Sequence, residues 1–326
     1  MKVDVLAGWT GLDEKRWNGL LDRAKLPSVF LTWQWQTQWA QAFLADRPLH
    51  LLTVSDDDGL TAILPLYEET PAQHRLLGGI DVSDYLDVIA VADREEEVWR
   101  ALLQHRAGQS VEWDLHAIRV ASPTPGLVTA LAPAHGLRVS SAVEERCPVL
   151  SLPESWDEYL ERLSGKDRHE LRRKIRKLER ELPGVAVRSH HGPDDWDEAL
   201  SRFLYLHRLS KVGKARFMDA QMERFFRDAT HALAAGGWAR LWFLEHEGRA
   251  VASFLCVEYA GAVGLYNSGF DPEHARLAPG IVLLAHVIRD AIDRRVSIFD
   301  FLRGEEPYKQ GFGPTPEDLY NVRIVA

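Results

Sequence analysis

Cysteine is scarce in this chain. There are two, Cys147 and Cys256, far apart and without CxxC-type spacing. That excludes a disulfide framework and a cysteine-built zinc site. GxGxxG, the P-loop, the GxSxG elbow and HExxH are all missing, so the signatures of dinucleotide binding, phosphate cradling, serine hydrolysis and zinc proteolysis are missing with them. No apolar run approaches the ~18–20 residues needed to span a bilayer. The opening MKVDVLAGWT lacks the basic-then-apolar pattern of a signal peptide. The cytoplasm is therefore the expected location, with no membrane span. Positive charge is also short, with 39 Lys and Arg against 48 Asp and Glu and a net charge of −9. A balance of that sign excludes a general nucleic-acid binder and makes DNA an unsuitable partner, although a local basic patch can still hold an anion.

What remains is an ordinary globular composition. The chain has 326 residues, 46% hydrophobic and 27% charged, which suffices for two domains with buried cores. Two stretches look alike. LHLLTVSDDDGLTAILPLYEE (49–69) and ARLWFLEHEGRAVASFLCVEY (239–259) each place an apolar strand, an acidic turn ending in glycine (Gly59, Gly248) and a second apolar strand. Such runs across a short glycine turn predict hairpins. A third strand follows the second hairpin after Ala260-Gly261, and HRLLGGIDVSDYLDVIA is the matching candidate after the first. A helix-like segment precedes each hairpin. The copies lie roughly 190 residues apart, too far for a solenoid and right for a duplicated domain.

The expected boundary lies at CPVLSLPESW (147–156), where two prolines interrupt the chain and Ser155 can cap the helix that follows. This predicts domains over 1–152 and 153–326. In the second, KDRHELRRKIRKLERELPG places Leu171, Ile175, Leu178 and Leu182 on one helical face. VAVRSH is a short strand, PDDWDEALSRFLYLHRLSK a helix, APGIVLLAHVIRDAIDRR a helix with proline near its start, and SIFDFLRG and LYNVRIVA are strands. Helices on both sides of a mixed sheet make an α/β fold.

HHGPDD (190–195) matches HHxxxD, but Trp196 follows the last acid. It reads as a strand end and turn whose aspartates cap the next helix. DVSDYLDV holds Asp81, Asp84 and Asp87 at spacing three, alternating with Val82, Tyr85, Leu86 and Val88. A strand and turn explain that pattern, and no metal is expected. The run Lys166–Arg180 carries eight Lys/Arg against three Asp/Glu. It is a solvated helix face or a surface for an anionic partner. Between Tyr266 and Ile292 a strand runs into a Gly/Asp/Pro turn, then Arg276, then a helix starting at Pro279-Gly280. The free N–H groups of a helix start suit a phosphate, Gly280 allows close approach, and Arg276 can meet a pyrophosphate.

Strand, GFDPEHARLAPG, helix and FDFLRGEEPYK together resemble the GNAT (acyl-CoA N-acyltransferase) superfamily, and within it the double-domain, Fem-like branch labelled CelD-type or cellulose-biosynthesis-type acetyltransferases. The likeness covers most of the second domain and, more loosely, ILPL and LGGIDVSDYLDV in the first. Ala278 stands where the branch usually has serine, which removes a helix cap worth about 1 kcal/mol. The resemblance implies two tandem GNAT-like domains with mixed, mostly antiparallel central sheets flanked by helices. It implies an acyltransferase that moves an acyl group from acyl-CoA, acetyl-CoA or longer, to an amine such as an amino sugar, amino acid or peptide. The donor site falls in the second domain, and the first helps to hold the acceptor.

In that frame Val263–Gly269, with Asn267, is the strand that receives the donor's pantetheine arm. Ser297–Arg303 is the opposite wall, and Arg276, Pro279 and Gly280 take the diphosphate. Arg303, Glu305, Tyr308 and Lys309 form the catalytic rim, with a carboxylate to accept the amine's proton and a tyrosine to return one to the thiolate. Asp300, between Phe299 and Phe301, is expected to be a buried structural acid in need of a partner. Asp84 and Tyr85 are the acceptor-facing candidates. A Fem-type ligase using aminoacyl-tRNA is a rival within enzymes, and a degenerate GNAT fold acting as a binding or scaffold protein is a rival outside them.

Overall fold

The computed structural model describes Met1–Ala326 and separates into two compact units, one of residues 1–145 with 317–326 and the other of residues 146–316. The first runs β1 (Lys2–Leu6), α1 (Glu14–Leu21), α2 (Trp33–Phe43), β2 (Leu49–Asp56), β3 (Gly59–Thr70), β4 (Gln73–Leu76), β5 (Ile89–Ala90), α3 (Glu95–Arg106), β6 (Glu112–Arg119), α4 (Thr124–Leu131) and β7 (Arg138–Ser151). The second continues through α5 (Trp156–Arg162), α6 (Gly165–Glu181), β8 (Ala186–His191), α7 (Trp196–Ser210), α8 (Val212–Phe217), α9 (Ala220–Ala235), β9 (Ala239–His246), β10 (Arg249–Tyr259), β11 (Ala262–Phe270), α10 (Pro279–Asp293), β12 (Ile298–Asp300) and α11 (Pro307–Gln310). β13 (Thr315–Val325) closes the chain.

The two units repeat one plan. Strand order is β1-β2-β3-β4-β6-β13 in the first and β8-β9-β10-β11-β12, followed by the end of β7, in the second. Each contains a hairpin at the expected place, turning at Gly59 (φ 106°) and Gly248 (φ 76°), a backbone region open to glycine. β2 and β9 even share one alternation of buried and partly exposed positions, as do β3 and β10 over their first eleven residues. Each sheet also holds a parallel pair, β4/β6 and β11/β12, three residue pairs long. The fold is thus two tandem GNAT-like α/β units with mixed, mostly antiparallel sheets.

The division differs from the expected 152/153. It falls at 145/146, inside β7, and the last ten residues return to the first unit because β13 pairs with β6 (Leu319↔Arg119, Arg323↔Asp114). The third strand of the first meander is also shorter than expected. β4 stops at Leu76, and the chain re-enters the sheet only at β5.

In the second unit α10 packs Val282, Leu283, Val287 and Ile288 against the sheet, where they join Phe299, Phe301 and Phe312 in the core. Those three phenylalanines contact edge-on or tilted, with centroids 5.2 and 6.2 Å apart. The Tyr159 hydroxyl, on α5, donates to the Phe312 carbonyl at 3.0 Å and pins the tail of the rim segment to the core. Ser155 caps α5 as expected, accepting from the Glu158 amide at 3.2 Å. Asp195 does not cap α7. Its carboxylate pairs with His190 Nδ1 at 2.7 Å instead.

Gly269 fixes how α7 meets β11. A Cβ there would lie 2.5 Å from the His207 amide nitrogen and 2.6 Å from the Leu206 carbonyl carbon, both backbone atoms of α7. Gly269→Ala should therefore push the helix off the strand and cost about 2–3 kcal/mol, the scale of core overpacking. Thermal denaturation reads this directly, and an unchanged melting temperature would show that the helix yields freely.

Candidate active site

β11 and β12 run together only from Ala262↔Ile298 to Gly264↔Asp300. Gly264 is part of the reason. A Cβ there would come 3.2 Å from Leu302 Cδ1 and 3.0 Å from Val257 Cγ2, so the missing side chain makes room for Leu302 to fold inward. Beyond this point β11 keeps its partner β10, from Leu265 to Phe270, while the other chain turns away through Leu302 (φ 54°) and Gly304 (φ 105°). The expected wall Ser297–Arg303 is therefore a strand of three residues, followed by a turn that left-handed backbone makes possible.

The edge of β11 that faces the gap is held by side chains. In a strand, a residue's N–H and C=O point to the same side. The Ser268 amide donates to Asn267 Oδ1 at 3.1 Å, and the Ser268 carbonyl accepts from Lys214 Nζ, which also reaches Ser268 Oγ at 3.0 Å. Lys214 comes from α8. Burial, and then the neighbouring Lys211, draw its pKa down to about 8, against a pull upward from Glu306. His207, on α7, is fully enclosed. Burial and the Lys214 charge lower it to about 4, and its hydrogen bond to Asn267 offsets part of this. Sequence reasoning missed Lys214 and His207, since neither sits in a motif.

The rim lies opposite. Glu306 is half exposed, and its carboxylate meets Lys309 Nζ at 2.8 Å. Burial raises its pKa, but the Lys309 hydrogen bond and charge outweigh that and leave it below the ordinary value. Lys309 itself is 3% exposed, and Nζ donates to the carbonyls of Phe301 (3.1 Å), Arg303 (3.1 Å) and Gly304 (2.7 Å). It is neither solvated nor open to a substrate. It knots the turn together. A Cβ on Gly304 would lie 2.7 Å from Glu306 Oε2, so glycine is needed for space as well as for φ. Glu305 faces outward, 3.9 Å from Arg146. Tyr308 is 37% exposed, and desolvation of its hydroxyl and the Glu306 charge raise its pKa. Asp300 is 6% exposed, with Oδ1 accepting from the Leu302 amide at 2.7 Å, so the acid helps to shape the turn.

The other predicted residues scatter. α10 begins at Pro279 with no side-chain cap, Ala278 being left-handed (φ 53°), and the space where a Gly280 side chain would stand is open. Arg276 is largely exposed and pairs with Glu181 of α6 at 2.8 Å, while Lys177 Nζ donates to its carbonyl at 2.9 Å. Asp84 and Tyr85 are each 7% exposed within the first unit, where the Arg119 guanidinium lies 4.7 Å over the Tyr85 ring. That burial does not present them to an acceptor. Asp87 is half-buried, bonded to Thr124 Oγ1 at 2.7 Å and to Ser122 Oγ, and desolvation of its carboxyl raises its pKa to about 6. Both cysteines are buried and neither is in a disulfide.

Residues 165–310 match the family model of an acetyltransferase (GNAT) domain. No curated protein matches the chain. Solved structures do. FemX superposes with a TM-score of 0.68 at 12% identity, over 98% of this chain and 97% of that one. A conserved protein of unknown function from Bacteroides thetaiotaomicron gives 0.66 at 12%, over 100% of both chains. L-PGS from Bacillus licheniformis gives 0.59 at 13%, over 95% of this chain and 91% of that one. At these identities the likeness is one of fold. No helix is long and apolar enough to cross a membrane.

Proposed function

We propose that this chain, a GNAT acetyltransferase domain over residues 165–310 within a Fem-like two-unit fold, moves an acyl group from an acyl-CoA thioester to an amine. The observation that carries this is the parting of β11 and β12, with the Ser268 backbone on the open edge held only by Asn267 and Lys214. An extended, amide-bearing arm pairs with such an edge as an added strand would. The thioester then lies between that edge and the Glu305–Tyr308 rim.

Acyl transfer forms a C–N bond, breaks a C–S bond and moves one proton from the amine to the sulfur. Lys214 is the group for that proton, because a pKa of about 8 lies near both partners' range. Glu305 on the exposed rim holds the acceptor's ammonium before attack, and Tyr308 steadies the departing sulfur. The donor's diphosphate falls at Pro279-Gly280, with Arg276 leaving Glu181 to meet it. Arg276→Ala should then weaken CoA binding by about 1–3 kcal/mol, the scale of a charge-assisted hydrogen bond. Equal affinity in calorimetry would move the phosphate site elsewhere.

The test of the reaction is thiol release from acetyl-CoA in the presence of amino sugars, amino acids and short peptides. Release that depends on one class of amine supports the reading. A folded protein that releases no thiol with any amine counts against it. One observation favours a second donor. Lys166, Arg172 and Arg176 on α6 are exposed or nearly so and have no carboxylate within 4.0 Å, as an aminoacyl-tRNA would need. Transfer from charged tRNA in the same assay distinguishes the two.

A further inference from the structure

The first unit has a cleft of its own, lined by none of the residues assigned to transfer above. Its parallel pair parts after Arg75↔Asp114, as the second unit's does after Gly264↔Asp300. A hollow of about 350 Å³, the lower end of the range for small-molecule sites, lies over the Arg75↔Asp114 pair.

The register puts a row of side chains across one face of the sheet: Tyr67 beside Arg75, Arg75 beside Asp114, Asp114 beside Arg323. Asp114 is 5% exposed and forms the floor, accepting from Arg75 Nε at 3.0 Å and from Asn321 Nδ2 at 2.6 Å. Glu144 also reaches the floor, where it accepts from the Ala117 amide at a left-handed irregularity within β6 (φ 59°). His116 lines the same hollow.

The two arginines at the mouth are not closed on carboxylates. Arg75 gives Asp114 only its Nε hydrogen, and its next carboxylate, Glu69, is 3.9 Å away. Arg323 lies 3.8 Å from both Glu112 and Asp114, beyond hydrogen-bonding distance, and turns its Nε to Asn321 Oδ1 at 3.2 Å. Some arginines elsewhere in this chain do close on carboxylates. Arg47 meets Glu69 at 2.8 Å, and Arg294 grips Glu258 with two nitrogens at 2.8 and 3.0 Å.

We propose that this cleft binds a small carboxylate-bearing amine of amino-acid or dipeptide size. Its carboxylate lies between the guanidinium forks of Arg75 and Arg323, the planar geometry that suits bidentate recognition. Its ammonium points inward to Glu144 and Asp114. Anion at the mouth and cation at the floor match the sign of each layer.

Calorimetry on the full chain tests this with glycine, L-alanine and L-alanyl-L-alanine, against acetate, methylammonium and inorganic phosphate. At least one zwitterion should bind saturably, and acetate and methylammonium at least about tenfold more weakly, since each keeps one of the two charged contacts. Arg323→Ala and Arg75→Ala should each weaken that binding by about tenfold or more. Arg323 is half exposed, so its variant should melt as the parent does. Three results would overturn the proposal: no binding by any zwitterion, phosphate binding in preference to all of them, or zwitterion binding that survives both substitutions.

Discussion

Replacing Lys214 with methionine should lower the rate of acyl transfer by about 10²–10⁴-fold, the usual contribution of a positioned proton carrier. Methionine keeps the length of the side chain and removes its charge, so α8 should stay in place. The pH profile carries a sharper signature. Below about pH 8 the Lys214 ammonium is charged and cannot accept a proton, and above it the amine is free. With an acceptor whose amine titrates well above 8, such as a lysine side chain at about 10.4, the rate of the parent enzyme should therefore show an inflection near pH 8 that is absent in the variant. The charged groups nearby do not mimic it. His207 titrates near 4, Glu306 is held below the ordinary carboxylate range, and Lys211 enters only as a charge that lowers Lys214. Equal rates and equal pH profiles in the two proteins would remove Lys214 from the mechanism.

The second large effect concerns stability. Lys309→Met removes an enclosed ammonium from three carbonyls and a carboxylate. The carbonyls of Phe301, Arg303 and Gly304 lose their donor, each worth about 1–3 kcal/mol where water cannot replace it. Glu306 is half exposed and recovers solvent, which limits its share. A net loss of about 3–5 kcal/mol is expected, or a fall in melting temperature of about 10 °C for a unit of this size. Because the turn carries Glu305, Glu306 and Tyr308, transfer should fall with it. Glu305→Gln changes neither the turn nor the melting temperature and so separates rim chemistry from rim architecture. An unaltered melting temperature in Lys309→Met would show that the turn closes without its ammonium.

The parts of this fold that could be read from sequence are the local ones. The hairpins at Gly59 and Gly248 announce themselves through alternating apolar residues and a glycine turn, and α10 through its proline and apolar face. Pairing across long separations is not local. The place of β13 beside β6 depends on contacts such as Arg323↔Asp114 that no window of sequence contains. The site divides in the same way. Asp300 was legible as a buried acid, because alternation with two phenylalanines leaves it no exposed face. Lys309 reads as a member of the catalytic rim, since nothing in EEPYK shows that Leu302 and Gly304 fold three carbonyls around it. Lys214 was invisible. Its burial and lowered pKa arise where α8 meets the open edge of β11, and Gly269 on that strand sets the approach of α7, the helix that leads into α8. In the first unit, Asp84 and Tyr85 read as acceptor-facing residues, yet both lie buried.

The most direct measurement of the central claim is a calorimetric titration of the full chain with acetyl-CoA. The account predicts one saturable site per chain, since only the second unit joins an open strand edge to the Arg276–Gly280 helix start. Two sites would contradict the assignment of the donor to that unit alone. No heat of binding from a folded protein would contradict the acyl-CoA reading itself.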